Sequence, residues 1–478
     1  MSIGGKVISS LRWMAVARFS GQVLSWVVTI FVIRILTPDD YGLMAMAMVA
    51  ITLLALLNEM GMGSVLVQQQ ELDHRTVECI FGLLILINGA LYTSLYLGAP
   101  LIAVFFEEPR LVEILRVIAL QFIFMPFSVV ANSMLSRRMD FRRMSFVDMW
   151  KIIAASITTL TLALNGYGIW ALVFGNLLGA LVDAVGATLA AKCWYRPRFR
   201  FSGMKQMIGF GGYVMASRIL FFIYVRADIF IIGKLLGKDL LGLYSVAKDL
   251  ASLPMEKVSG VLNMVGFSAF SRIQDDRDEV REKLLKAVRI LSFFAFPMFA
   301  GISSISPEIV EVILGEKWLA AIVPLQLLSL IIPLRMVQNI IPPVLMSIGR
   351  PEVAVSNLVI ACIIMAVSFL IGVQWGINGV SQAWLFGYPV FFVIMLKRSL
   401  PILGLTIAEY LKSMYGPAMV AGVMYFAVIV VRQTVTQSMF SGPVDLAVLV
   451  GTGALIYGTL MLLTQRQACN EMLILFRR

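Results

Sequence analysis

Charged side chains are scarce in this chain of 478 residues: they make up 14% of it, whereas hydrophobic residues make up 59%. A soluble protein of this length needs a far more polar surface, so most of this surface must face lipid. The longest polar stretch runs only from Arg272 to Arg289. A large soluble domain is therefore excluded.

Residue types that usually build metal or catalytic sites are also few. The one histidine, His74, has no neighbouring ligands in the sequence, and the four cysteines fit no metal-binding spacing. No P-loop pattern of the form G-x-x-x-x-G-K-[ST] occurs, so ATP is not the local energy source. We expect free thiols, no metal, no cofactor and no catalytic residue.

What the chain has in abundance is apolar sequence, in runs of the roughly 17–25 residues that cross a bilayer. Charged residues and Gly, Pro or Asn breaks divide these runs into 14 predicted helices, which indicates an all-α polytopic membrane protein. The predicted spans are 11–36, 41–68, 79–106, 111–136, 145–165, 169–192, 207–236, 241–273, 287–314, 320–348, 353–373, 377–396, 414–431 and 444–463.

Lysine and arginine are distributed unevenly between the predicted loops. Large groups occupy 137–151, 192–205 and 272–289, which share one side if the N-terminus is inside, and the opposite side holds far fewer. The positive-inside rule then places both termini in the cytoplasm, and we expect a short N-terminal tail that leads into an uncleaved first span. The net charge of +11 is explained by this topology and by anionic lipid, so nucleic acid is not an expected partner.

The chain also contains an internal repeat. The segment 34–47, RILTPDDYGLMAMA, returns 200 residues later as 234–247, KLLGKDLLGLYSVA, with five of 14 positions identical, among them Gly42/Gly242. The repeat predicts two six-helix lobes, 1–200 and 201–400, followed by two additional helices and a cytoplasmic tail in 401–478. An even number of helices per repeat makes the lobes parallel, and in parallel-repeat transporters the substrate site lies between the repeats.

Charged residues inside the predicted spans need a reason to be there, because a charge at the bilayer centre costs roughly 2.5–3.5 kcal/mol even on the lenient insertion scale. We expect them to line a hydrated space. The cations are Arg18, Arg218, Arg226, Lys248, Lys257 and Arg335, and the anions are Glu59, Asp183, Asp228, Asp249 and Glu256.

Arginine suits bidentate capture of phosphate, because its guanidinium is a planar fork of donors. The sequence therefore suggests an anionic head group as the ligand of these cations. The predicted substrate-binding residues are Arg18, Arg218, Arg226 and Arg335. Two alternatives remain open: Arg226 forms an internal bridge with Asp228 or Asp249, or Arg18 and Arg218 guard the entrance to the space.

Five further residues are candidates for ion coupling or for lining the cavity. Glu59 and Asp228 are the candidates for coupling an ion or a proton. Lys248, Asp249, Glu256 and Lys257, with Glu256 seven residues after Asp249, form a mixed-charge stripe that is either a cavity wall or a self-neutralising set.

Several motifs resemble one known family. They are Gly242–Pro254 (GLYSVAKDLASLP), 267–276 (FSAFSRIQDD), 296–301 (FPMFAG), 314–318 (LGEKW) and 347–351 (SIGRP). These resemble the polysaccharide transporter family of the multidrug/oligosaccharidyl-lipid/polysaccharide superfamily, and most closely its colanic-acid and teichuronic-acid exporter branch.

The resemblance implies a two-lobed, 14-helix fold with alternating access. It also implies a flippase for polyprenyl-diphosphate-linked oligosaccharide in the cytoplasmic membrane of a bacterium. Lipid-linked oligosaccharide and membrane lipids are the implied partners, together with polysaccharide polymerase or export machinery. No motif of the family transfers a site residue to this chain.

Three other functions stay in consideration. A drug/cation antiporter of the same superfamily needs a cavity dominated by carboxylates, whereas here the cations slightly outnumber them. A flippase for the peptidoglycan precursor shares the fold and the cationic cavity. A membrane enzyme that joins sugars generally carries a sizeable outer loop, which this chain lacks, so we do not expect an enzyme.

Overall fold

The computed structural model describes residues 21–22, 24–58, 66–67, 73–199, 211–436 and 442–465, without the side chains of 57–58, 211–217, 256–269 and 435–436. The described residues form helices and contain no β-strand. The principal helices are α1 (Leu24–Ile35), α2 (Pro38–Asn58), α3 (His74–Phe106), α4 (Leu111–Ile118), α5 (Gln121–Arg137), α6 (Phe141–Leu164), α7 (Ile169–Ala191), α8 (Gly211–Leu235), α9 (Gly237–Arg272), α10 (Arg277–Ser304), α11 (Ile322–Gln338), α12 (Ile341–Ser347), α13 (Pro351–Gly372), α14 (Gly376–Ser399), α15 (Ile407–Val431) and α16 (Pro443–Thr464).

The helices have the length and composition of membrane spans. Ten segments of the described chain are long and apolar enough to cross a bilayer. On α3 the side chains of Leu97, Leu101 and Val104 share one face and are 69%, 76% and 74% exposed, an arrangement that water would disfavour and lipid accommodates. The all-α membrane fold is thus confirmed, whereas the number of 14 helices stays a prediction.

Two predicted spans are each divided between two helices. The span 111–136 comprises α4 and α5, and the span 320–348 comprises a short 3₁₀ segment followed by α11 and α12. The second division has a chemical cause. Pro342 and Pro343 have no N–H to donate to the carbonyls four residues earlier, so the hydrogen-bond ladder of α11 stops and a new helix begins at Ile341.

The helices group into two compact units. The first comprises Met1–Phe222 with Gly237–Gly242, and the second comprises Ile223–Leu236 with Leu243–Arg478. A core of the first unit joins α3, α5 and α7. In the second unit α15 and α16 pack on α10, where the Tyr457 hydroxyl donates to the Phe293 carbonyl at 2.8 Å. The predicted division into 1–200, 201–400 and 401–478 stays a prediction.

The repeated glycines mark a reciprocal crossing of two helix starts inside the first unit. A Cβ on Gly42 would overlap the carbonyl oxygen of Lys238, and a Cβ on Gly242 would overlap the carbonyl oxygen of Pro38. Each glycine therefore contacts the backbone four residues before the other. Only a residue without a side chain permits this approach.

Ion pairs surround the crossing. Asp39 accepts from Arg110 at 2.7 Å and from Lys238 at 2.9 Å, and Lys238 also pairs with Glu108 at 2.7 Å. The hydrogen bond to Glu108 raises the pKa of Lys238 above its ordinary value. Residues 237–242 are thus held within the first unit by backbone contact and by charge.

Candidate anion-binding site

Asp228 on α8 is the centre of a buried charged cluster in the second unit. Its side chain is fully buried, and Lys248 on α9 donates to both carboxylate oxygens at 2.8 and 2.7 Å. The same ammonium group donates to the carbonyl of Val225 at 2.8 Å. All three donor positions of the lysine are therefore used.

Tyr244 and Trp384 complete the coordination of the carboxylate. Tyr244 lies one turn before Lys248, so both side chains leave α9 on the side that contacts Asp228. Its hydroxyl donates to Asp228 Oδ2 at 2.6 Å, and the indole Nε1–H of Trp384 on α14 lies 3.1 Å from the same oxygen. The backbone N–H of Ile229 donates to Oδ1 at 2.8 Å. The carboxylate is held by neutral and charged donors from three helices.

Arg335 on α11 is buried beside this cluster, with only 8% of the residue exposed. Its guanidinium carbon lies 4.3 Å from the ring centroid of Trp384, a cation–π contact, and its side chain hydrogen-bonds to Tyr224. No carboxylate among the described residues forms an ion pair with it.

The cluster has an excess of positive charge. Half-buried Arg226 and buried Arg335 both lie within electrostatic range of Lys248 and repel it. Among the described side chains of this cluster, the three cations Arg226, Lys248 and Arg335 exceed the one carboxylate of Asp228 by two charges. Because burying unpaired charge is costly, an anion with two negative charges would complete the site.

The structure brings together four of the nine residues predicted from the sequence: Arg226, Asp228, Lys248 and Arg335. Arg218 lies eight residues before Arg226 on α8 and is exposed. Asp249 is exposed on α9. Arg18, Glu59 and the side chain of Glu256 lie outside the described residues. The assignment of all nine residues to substrate or coupling stays a prediction.

Three members of the cluster could not be predicted from the sequence. Tyr224, Tyr244 and Trp384 are aromatic residues in apolar helices, where such residues are usual. The spacing of Tyr244 and Lys248 was the one available signal, since residues four apart share a helix face. The described residues contain no group of three or more His, Cys, Asp or Glu side chains that could hold a metal ion.

Comparison with known proteins places the sequence in a family. A family model described as "Polysaccharide biosynthesis protein" matches residues 31–323. The teichuronic acid biosynthesis protein TuaB of Bacillus subtilis is 24% identical, over 99% of this chain and 98% of its own length. The lipopolysaccharide biosynthesis protein WzxC of Escherichia coli is 25% identical, over 87% and 86%. The succinoglycan biosynthesis transport protein ExoT of Rhizobium meliloti is 28% identical, over 98% and 96%.

Solved structures share the fold at lower sequence identity. The lipid II flippase MurJ in an inward closed conformation superposes with a TM-score of 0.77 at 16% identity, over 95% of this chain and 99% of its own. A multidrug resistance MATE family transporter of the MOP superfamily, inward-facing, gives 0.61 at 16% identity, over 82% and 98%. These likenesses confirm the predicted superfamily fold. Since the family model matches more than half of its length, this chain belongs to the polysaccharide biosynthesis protein family.

Proposed function

We propose that this protein is a flippase that moves polyprenyl-diphosphate-linked oligosaccharide repeat units from the inner to the outer leaflet of a bacterial cytoplasmic membrane. The units would serve synthesis of exopolysaccharide, capsule or O-antigen. Membership of the family and the names of the relatives support the polysaccharide pathway. The observation that carries the chemistry is the buried Arg335, which has no carboxylate partner among the described residues.

The cargo explains why an anion site is useful inside a membrane. Moving one unpaired hydroxyl into an alkane-like phase costs about 4–8 kcal/mol, and an oligosaccharide has many, so the head group does not cross alone. A diphosphate adds negative charge that Arg335 and Arg226 can balance through charge-assisted hydrogen bonds. We assign the same role to Arg18 and Arg218. The polyprenyl tail would remain in lipid throughout.

Asp228 has a different role in this proposal. Its two oxygens receive hydrogen bonds from Lys248, Tyr244, Trp384 and the Ile229 N–H. Protonation would replace an acceptor by a donor that faces other donors. The carboxylate therefore fixes the position of the Lys248 ammonium and is poorly suited to exchange a proton during transport. Coupling through Glu59, Asp249 or Glu256 remains a separate proposal.

The surroundings of the cluster disfavour a drug/cation antiporter. A cationic substrate needs an available carboxylate, and the one in this cluster is committed to Lys248. We further propose that both termini face the cytoplasm, that the protein acts beside polysaccharide polymerase or export machinery, and that it performs no catalysis itself.

The proposal is tested by the lipid-linked sugar pool of cells that lack this protein, extracted and sized by mass spectrometry. We expect complete polyprenyl-diphosphate repeat units to accumulate while surface polysaccharide is lost. An unchanged pool accompanied by new drug sensitivity would overturn the flippase in favour of the antiporter. Accumulation of the peptidoglycan precursor would overturn the assigned cargo.

A further inference from the structure

A second charged feature of the second unit is a cavity of about 300 Å³ that shares no residue with the buried cluster. Three chain segments line it: the start of α10, the turn between α12 and α13, and the 3₁₀ turn after α14. The lining residues that matter here are Gln274, Arg277, Ile348, Arg350, Ile402 and Leu403.

The cavity lies where membrane-crossing helices end. One apolar span of this region ends at Ser347 and the next runs from Pro351 to Leu403, and each of these positions is in or beside the lining. The cavity is therefore at the level of the lipid head groups, not of the hydrocarbon. The lysine and arginine distribution predicts that this side faces the cytoplasm, where anionic lipids concentrate.

The lining contains two arginines and no carboxylate. Arg277 forms no ion pair within the described part of the chain. The carboxylate next to it in sequence, Asp276, is committed to capping α10, because Oδ1 accepts from the N–H groups of Asp278 and Glu279 at 3.1 and 3.0 Å. Arg350 has one exposed neighbour, Glu352, at 3.5 Å. The remaining wall is mostly apolar.

We propose that this cavity binds the phosphate of a lipid head group. Two guanidinium groups from different segments can hold one phosphate by charge-assisted hydrogen bonds, with the Gln274 amide as a further donor. The apolar side chains of Ile348, Ile402 and Leu403 then lie along the adjoining part of the lipid. Basic pockets between membrane helices on the cytoplasmic side are a recurrent site for anionic head groups. The bound lipid would then contact all three of the chain segments that line the cavity.

The test is native mass spectrometry of the full-length protein in detergent, titrated separately with phosphatidylglycerol, phosphatidylcholine and undecaprenyl diphosphate. We expect Arg277→Gln and Arg350→Gln each to weaken binding of the anionic lipid about fivefold, the value of one basic residue near a membrane surface. Glu352→Gln should strengthen binding, since it removes the competing partner of Arg350. Lys283→Gln is the matched control, because Lys283 is an exposed cation on α10 outside the lining.

The two anionic lipids distinguish the source of the phosphate. Arginine-dependent binding of phosphatidylglycerol assigns the site to the surrounding leaflet, and arginine-dependent binding of undecaprenyl diphosphate alone assigns it to the lipid-linked cargo. Equal affinity of the wild type and both arginine variants would overturn the proposal, as would a Glu352→Gln variant that binds less than the wild type. The measurement does not depend on transport, so it stands apart from the proposed flippase activity.

Discussion

Arg335 is the residue whose burial most needs an explanation, because its charge is stabilised only by an aromatic ring and a tyrosine in the described structure. If it binds the diphosphate, Arg335→Ala should lower transport by about 10- to 100-fold, the equivalent of one lost charged hydrogen-bond contact. Arg335→Lys should restore part of the loss, since lysine keeps the charge but not the fork.

The readout for Arg335 is export of the repeat unit, normalised to the amount of protein in the membrane. Lys397→Ala serves as the control, because Lys397 is an exposed cation of the same unit. Full transport by Arg335→Ala at normal abundance would exclude Arg335 from substrate binding.

Asp228 and Lys248 should behave as a pair. Removing one partner of a buried ion pair leaves an uncompensated charge and costs about 3–5 kcal/mol. Asp228→Asn or Lys248→Met should therefore lower the thermal unfolding temperature in detergent and the amount of protein in the membrane. The double variant should recover much of this stability, since both charges are gone. A double variant as unstable as the sum of the two singles would contradict the pairing.

The sequence identified the charged members of this cluster, because charges in apolar helices are rare and conspicuous. It could not choose the partner of Asp228. Arg226 is two residues away, but side chains at i and i+2 leave a helix in nearly opposite directions, and the structure pairs Asp228 with Lys248 on α9. Trp384 could not be predicted, because its role depends on the packing of α14 against α8 and α9.

At the scale of helices, the reciprocal crossing at Gly42 and Gly242 is a contact of the first unit that leaves no room for a side chain. Gly42→Ala or Gly242→Ala forces a methyl group into a backbone carbonyl, and overpacking of this kind costs about 1–3 kcal/mol. We expect either variant to lower both abundance and transport. Gly89→Ala is the matched control, because nothing lies within 4 Å of the position its Cβ would take.

The outcome at Gly42 and Gly242 can be read by fluorescence-detected size-exclusion chromatography across a temperature series. Variants with the profile of Gly89→Ala would show that the two helix starts separate without cost. The repeat itself was visible in the sequence, but its reason was not. Each glycine is required by the close approach of a backbone segment about 200 residues away in the sequence. A sequence pattern does not show which distant segments come into contact.

For the molecule as a whole, hydropathy and family motifs were sufficient to predict an all-helical membrane protein of this family. The positions of the individual helix ends were less completely predictable from the sequence. The predicted span 320–348 contains Pro342 and Pro343, and inside it the structure begins a new helix at Ile341. Proline chemistry permits either a kink or a break, so the sequence alone does not choose between them.

The excess of positive charge leads to a prediction about the driving force. A diphosphate cargo carries negative charge outward, and with the cell interior negative this is downhill by about 2.3 kcal/mol per charge per 100 mV. Transport by the purified protein in proteoliposomes, loaded with a fluorescent lipid-linked oligosaccharide, should therefore follow an imposed potassium diffusion potential. It should accelerate when the donor side is negative and slow when the sign is reversed.

A pH gradient at zero potential should have little effect on this transport, because Asp228 is fully engaged by its donors. The opposite pattern, with dependence on the pH gradient and none on potential, would require a titrating carboxylate elsewhere, and Glu59 would then be the first residue to neutralise.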